Sequence, residues 1–595
     1  MYRDEVSRRS TCFEPLVRVR FLLAMTVLIT TAAQALPPAT QWIPQDAVIA
    51  LELSSPGPLL DLLAGEQMSR AVTALPLYRQ QTANPQLREF FNIVKFLETA
   101  LDTDWRTGLR ALAGGGITLA VCPEDTFVLI ADAEDENMLS RLHEILLTFA
   151  RSEAEKKGQP DLVVATSYRD VTVWTFNGKE AHSIIGKRFV LCNRPEGLRA
   201  VLERRAGNGG ATLESSPRFQ AARRSAGADA VATMLVNLKP LMKLPGLAQG
   251  FDQSRENPLA ALAFAGIAEA VRDADWLAAH LSVEQNTLTL RASVEGTPAG
   301  PSRSAAFAWP KTPAEGVFPN LSVPRRIAAL SFYRDLHQFY AAKDELFPER
   351  TSGLIFFENM MGIFFSGRDL TNEVLAETRP EIRFVVAEQE FDPARGTPRI
   401  KLPAFAMVLR LRNAEQFNEV VEEAWQKLVG LVNFTRGQQA LQGLIIDRLS
   451  QGETKFTLAY FSTAGIEDKT ALDQRFNLRP ALAMPGEYVI LSSTDDLARD
   501  LIDALNLEGE TAVKPLAETD SLIEIEGGRL AAVLQANRET LIRGDMVKKG
   551  NTREQSETGI DMLLTLVEFV ENVKLSIGAH GSLSRAMLKV TLDLP

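Results

Sequence analysis

The chain is short of the residues that carry most enzyme chemistry. Its 595 residues hold three Cys and five His. Only Cys122 and Cys192 lie beyond the N-terminal region, far too few for a disulfide scaffold. Both sit in apolar runs, GGGITLAVCP and RFVLC, and read as buried thiols; a single disulfide is the alternative in an oxidising compartment. His143, His182, His280, His337 and His580 show neither metal-ligand spacing nor an HExxH pattern, so they read as exposed or structurally satisfied. No G-x-S-x-G elbow is present, and Ser215-Ser216-Pro217-Arg218-Phe219 reads as a turn entering a helix with Ser216 as its cap. The glycines Gly114–Gly116 precede a strand instead of joining strand to helix, so they cannot cradle a dinucleotide phosphate. Asp495-Asp496 is explained by a helix start, where carboxylates meet free N–H groups. Asp132, Glu134 and Asp135 occupy the equivalent turn elsewhere and lack EF-hand spacing. No residue is assigned a catalytic, cofactor-binding or metal-binding role.

Positive charge is scarce too. Lys and Arg number 64 against 75 Asp and Glu, a net charge of −11. The first 35 residues contribute +2, leaving −13 on the rest. Such a chain is a poor partner for nucleic acid or an anionic membrane. An apolar content of 46% excludes general disorder.

What is present begins with an export signature. Arg18 and Arg20 precede FLLAMTVLITTAA, which ends at Ala33-Gln34-Ala35 before Leu36-Pro37-Pro38. A positive region, a short apolar core and a small-x-small site predict a signal peptide over 1–35, cleaved after Ala35; a retained anchor is the alternative. Cys12 lies before the apolar core, which leaves the lipoprotein route unsupported.

The chain also repeats itself. RFVLCNRPEGLRAVLERR, from Arg188, resembles EYVILSSTDDLARDLIDAL, from Glu487. Without a gap, Phe189 meets Tyr488, Val190 meets Val489 and Cys192 meets Leu491. Each segment is a strand, a polar turn and a helix of 3.6-residue period. TFVLIADAEDENMLSRL, from Thr126, matches AFAMVLRLRNAEQFNEVV, from Ala404, with Phe127 on Phe405. Matches in one order predict an α+β fold of two homologous halves, each mainly antiparallel sheet with one face against helices. The expected organisation is signal peptide 1–35, first repeat domain 36–300, linker 301–323 and second repeat domain 324–595.

Two apolar helical arcs stand out. In GLIFFENMMGIFF, from Gly353, Phe356, Phe357, Met360, Met361, Phe364 and Phe365 form a broad face. EFFNIVKFLETAL, from Glu89, has the same character in the first half. Such helices read as core, with an apolar groove or interface as the alternative.

The signal segment, then P-x-D-A-V-I-A-L-E-L from Pro44 to Leu53, then the S-S-P-R-F turn at Ser215–Phe219 with VATMLVNLKPLM downstream, together resemble an uncharacterised family of secreted bacterial proteins of planctomycete and cyanobacterial type. The resemblance implies an exported protein and supplies no catalytic residue. The second half departs from it, with Lys514-Pro515-Leu516-Ala517 where the first has the S-S-P-R-F turn.

The expected function is that of a non-catalytic secreted or envelope protein, binding a ligand or partner or serving a structural role. An extracytoplasmic hydrolase with a carboxylate-based site is the alternative. The expected partner is an envelope protein or an apolar small molecule, with no nucleic acid, no cofactor and no transmembrane span once the signal is removed. The expected location is the periplasm or the exterior.

Overall fold

A computed structural model describes residues 36–76, 78, 85–243, 257–295, 306–312, 314–580 and 583–595. The expected signal segment 1–35 and part of the expected linker lie outside these residues. By internal contacts the chain forms two compact units. Among the described residues, unit 1 holds those within 36–73, 78–241 and 276–290, and unit 2 those within 74–76, 242–275 and 291–595.

The strands of unit 1 are β1 (Ile49–Leu53), β2 (Gly116–Cys122), β3 (Thr126–Asp132), β4 (Val163–Tyr168), β5 (Val171–Phe176), β6 (Glu180–Ile185), β7 (Arg188–Cys192), β8 (Ala230–Asn237) and β9 (Trp276–Glu284). All their pairings are antiparallel, in the order β4-β5-β6-β7-β3-β2-β1-β8-β9. The division between the units falls within β10 (Thr287–Glu295).

Unit 2 adds β11 (Gly316–Val317), β12 (Arg326–Tyr333), β13 (Thr378–Ala387), β14 (Ala404–Leu411), β15 (Ile445–Gln451), β16 (Thr454–Tyr460), β17 (Ala481–Ala483), β18 (Tyr488–Ser492), β19 (Leu516–Ala517), β20 (Thr519–Glu526), β21 (Val570–His580) and β22 (Leu583–Leu592). Its antiparallel order is β15-β16-β17-β18-β14-β13-β12-β20-β21-β22, with β11 and β19 paired separately. The two orders correspond strand for strand from β4 and β15 through β9 and β21.

Helices follow the same plan. In unit 1, α1 (Pro85–Leu101) lies between β1 and β2, α2 (Glu136–Lys156) follows β3, and α3 (Pro195–Arg205) and α4 (Pro217–Ser225) follow β7. In unit 2, α5 (Pro258–Asp273) precedes the sheet, α6 (Thr351–Phe364) lies between β12 and β13, α7 (Ala414–Gln438) follows β14, α8 (Asp495–Thr511) follows β18 and α9 (Arg553–Glu568) precedes β21. The sequence places α5 in the first half; its contacts place it in unit 2. No helix among the described residues is long and apolar enough to cross a membrane.

Local chemistry starts these helices. The Asp135 carboxylate accepts from the Asn137 and Met138 N–H groups at 2.8 and 3.1 Å, capping α2. The Thr494 hydroxyl accepts from Leu497 N–H at 3.3 Å, capping α8, which ends in left-handed Ala512 with φ of 50°.

The central strands are apolar on both faces, which corrects the one-sided expectation. Val190 packs with Leu198 and Leu202 of α3, while its neighbour Phe189 packs with Leu139 of α2. Ile490 packs with Leu501 and Ile502 of α8, while Val489 joins Phe417, Val420 and Trp425 of α7. Burying each such side chain stabilises by roughly 1.5–3 kcal/mol. The same observation corrects the ungapped match. Phe189 occupies the place of Val489, one residue further along than Tyr488, and Cys192 that of Ser492. In a strand, a slip of one residue exchanges the two faces.

Unit 2 is cross-tied by Arg334, which is 3% exposed. Its guanidinium donates to Leu262 O at 2.7 Å and Ala263 O at 2.8 Å on α5, to Ser521 Oγ at 2.8 Å, and to the Asp520 carbonyl at 3.1 Å on β20. Asp520 Oδ1 lies 3.4 Å away, and Oδ2 has no partner. Burial pushes the Asp520 carboxyl up, and the adjacent Arg334 charge opposes that shift. Gly266 on α5 admits the Trp309 ring where a Cβ would stand 3.1 Å from it. Replacing Arg334 by Leu leaves Asp520 buried without its counter-ion and is expected to cost about 3–5 kcal/mol in urea unfolding. Pairing Arg334→Leu with Asp520→Leu is expected to cost less than Arg334→Leu alone.

Candidate functional site

The residues singled out for chemistry are engaged structurally. The Asp495 carboxylate accepts from Arg479 Nε and Nη2 at 2.7 and 3.1 Å, so Thr494, and no carboxylate, caps α8 through its side chain. Asp132 accepts from Arg188 at 2.6 and 2.7 Å, and that guanidinium lies 4.4 Å from the centre of the Trp42 ring. Asp135 is spent on its cap. Ser216 accepts from Phe219 N–H at 3.5 Å, at the start of α4. Cys122 and Cys192 are free and buried, and burial pushes the Cys122 thiol up to about 11 and the Cys192 thiol higher still. A thiol so shifted is no nucleophile at neutral pH. The His580 side chain lies outside the described residues, and His280 is buried beside Ser225 Oγ at 3.2 Å.

Asp496 and Asp500, one turn apart on α8, line a narrow cleft with Arg325, Glu388 and Glu390. Burial raises both aspartates, and Arg325 pairs with Glu390 at 2.7 Å and Asp500 at 3.8 Å. Thr494, which caps α8, also lines this cleft, and Arg325 is drawn to its carboxylates. Among the described residues no three His, Cys, Asp or Glu converge as a metal site.

The apolar arcs are where the structure is exceptional. In unit 1, Arg141 of α2 donates to Ala100 O of α1 at 3.0 Å, and Phe96 meets Phe149 edge-on at 5.4 Å between ring centres. These two contacts set α1 and α2 antiparallel. Leu97, Leu101, Leu142 and Leu146 fill the space between them. Phe96 and Phe149 remain about half exposed, at 46% and 50%, with Phe90 and Phe91 further along α1. The result is an open groove of about 420 Å³ lined by Phe96, Ile145 and Phe149, with Glu144, Thr148 and Ser152 as its polar members.

Unit 2 builds the corresponding pair from α6 and α7. Ser366 donates to Glu423 at 2.7 Å and Lys427 donates to Ile363 O at 3.3 Å, which again runs the helices antiparallel. The inner face of α6 follows the core expectation, since Leu354, Met361 and Phe365 pack against Phe417, Val420 and Trp425. The outer face departs from it: Phe356 is 70% exposed and Ile363 71%. Leu428, Leu431 and Phe434 of α7 are exposed beside them, a feature the sequence reading missed. The signal was available in LVGLVNFT, Leu428–Thr435, which carries no charge on any side of the helix.

His143 and His182 lie 39 positions apart in the chain, and folding joins them. His143 of α2 and His182 of β6 approach Nε2 to Nε2 at 3.0 Å, one donating and one accepting. Trp174 and Phe189 flank them, the Arg151 guanidinium lies over the Trp174 ring at 5.3 Å, and His143 Nδ1 has no partner. Burial depresses both imidazoles, His182 to about 3 and His143 below that. In the unfolded chain they protonate near 6.5, so the unfolded state binds more protons below that pH. Their contribution is therefore complete above about pH 6.5 and falls by roughly 1.4 kcal/mol per histidine per pH unit below it. The urea midpoint of the protein is expected to drop between pH 7 and 5. A His143→Leu/His182→Leu variant is expected to show a shallower drop.

No family model matches the chain, and no curated protein matches it. Among solved structures, crystal form III of TP0453 is similar with 11% identity and a TM-score of 0.25, over 45% of this chain and 84% of that one. Crystal form I of TP0453 gives 11% and 0.24, over 45% and 82%. A likeness at that score carries no argument about the ligand or role of this protein.

Proposed function

We propose that this is a non-catalytic exported protein that binds an apolar ligand or partner at the cell envelope. The groove between α1 and α2 carries this reading. Its size lies within the range of small-ligand sites, with Phe96 and Phe149 as aromatic walls and Glu144, Thr148 and Ser152 as polar groups that could orient a ligand. Solvation of half-exposed Phe96 and Phe149 is unfavourable, and an acyl or aromatic ligand removes that cost. Export rests on the signal signature of residues 1–35 and on the resemblance to secreted planctomycete and cyanobacterial proteins. We further infer that residues 36–300 and 324–595 descend from one duplicated unit joined by a linker at 301–323. The matching strand orders and the recurrence of an apolar helix pair at one place in each order support this.

The test is titration of the protein with 1-N-phenylnaphthylamine, an uncharged probe that brightens in apolar surroundings. Phe96→Glu and Phe149→Glu are each expected to weaken binding about tenfold, since each buries a charge against the ligand. Val547→Glu, at an exposed position in unit 2, is expected to leave it unchanged. Equal binding by all three variants, or no saturable binding by the parent, would overturn the assignment.

A further inference from the structure

The outer face of α6 and α7 differs from the groove in chemistry, because its charged groups stay at its edge, where Lys427 reaches Ile363 O at 3.3 Å. From Asn359 to Gly367 and from Leu428 to Thr435 there is no Asp, Glu, Lys or Arg. The charges at its margins are already paired within the unit: Glu358 with Lys343 at 3.3 Å, and Glu423 with Lys427 at 2.9 Å. Ile355, Phe356, Ile363, Leu428, Leu431 and Phe434 are all exposed. The antiparallel contacts at Ser366–Glu423 and Ile363–Lys427 carry Phe356, two turns back along α6, toward Phe434, two turns on along α7.

We propose that this face joins a second copy of the chain, the two helix pairs packing as a four-helix layer about a two-fold axis. Three observations favour this occupant. The area fits: six half-exposed large side chains offer roughly 100 Å² each, approaching the 800 Å² or so per partner of a standard interface once the rim is added. The composition fits as well. Interfaces between copies resemble a divided core, and large aliphatic and aromatic side chains dominate this face, with Asn359 and Thr435 as exposed polar residues among them. Charge is the third. Copies bearing a net −11 repel unless they meet through a surface with few charges, and Lys427 at the edge of this face is already paired with Glu423.

Light scattering on the purified full chain during gel filtration reads the state directly. Twice the chain mass is expected at micromolar concentration, and the single chain mass for Phe356→Glu/Phe434→Glu. Both positions are exposed, so that variant is expected to keep the parent's circular dichroism and urea midpoint, which separates lost association from lost folding. Ile363→Cys supplies a second readout, because Cys122 and Cys192 are buried: a disulfide-linked dimer is expected on mild oxidation. A parent that runs as a monomer at 50 µM, a dimer indifferent to the double substitution, or a monomer that instead sediments with phosphatidylcholine vesicles would each overturn the proposal. Binding of the probe at Phe96 and Phe149 is read in unit 1, so either result stands without the other.

Discussion

The constraint on which the rest depends is that the central strands are apolar on both faces. Phe189 and Val190 are adjacent and both buried, as are Val489 and Ile490. A sheet of that kind exposes apolar surface until helices cover both sides. On the α3 and α8 side each helix starts from the turn that ends its strand, and Thr494 caps α8 there. The other side is covered by α2 in unit 1 and by α7 in unit 2, and each of these helices takes a second helix, α1 or α6, as its neighbour. That second layer is where apolar surface is left over, and it is the surface on which the proposed binding role rests.

Polar chemistry in the interior serves that architecture. Arg334 holds α5 through two of its carbonyls and β20 through Asp520 and Ser521, so one guanidinium joins helix to sheet in unit 2. His143 and His182 do similar work in unit 1, linking α2 to β6 through one hydrogen bond between neutral rings. Both arrangements depend on dryness. The same burial that strengthens the bonds makes a lone charge there expensive, which is why Asp520 and the two imidazoles are shifted toward their neutral forms.

Much of the architecture was legible in the residues. The period-two alternation of GITLAVC and the 3.6 period after Leu198 and Leu497 follow from geometry that each segment obeys locally. The register between the halves was less so. Phe189 and Tyr488 are alike as aromatics, but the pairing of β7 with β3 and of β18 with β14 places Phe189 on Val489. Aromatic likeness is a weaker constraint than the face a side chain must occupy. Of the candidate site, Phe356 and Phe96 stood out in the sequence, while their exposure did not. An apolar helix reads the same whether a second layer covers it or not.

The sequence by itself determined the class of fold, the alternation of strands and helices, and the scarcity of reactive groups, because these are properties of neighbours along the chain. Only the tertiary structure decided that His143 meets His182, that Asp495 is spent on Arg479 and that Phe149 closes a groove with Phe96. Those pairs are separated by 39, 16 and 53 positions. Their meeting depends on which faces the sheet turns toward which helices, and no local pattern records that.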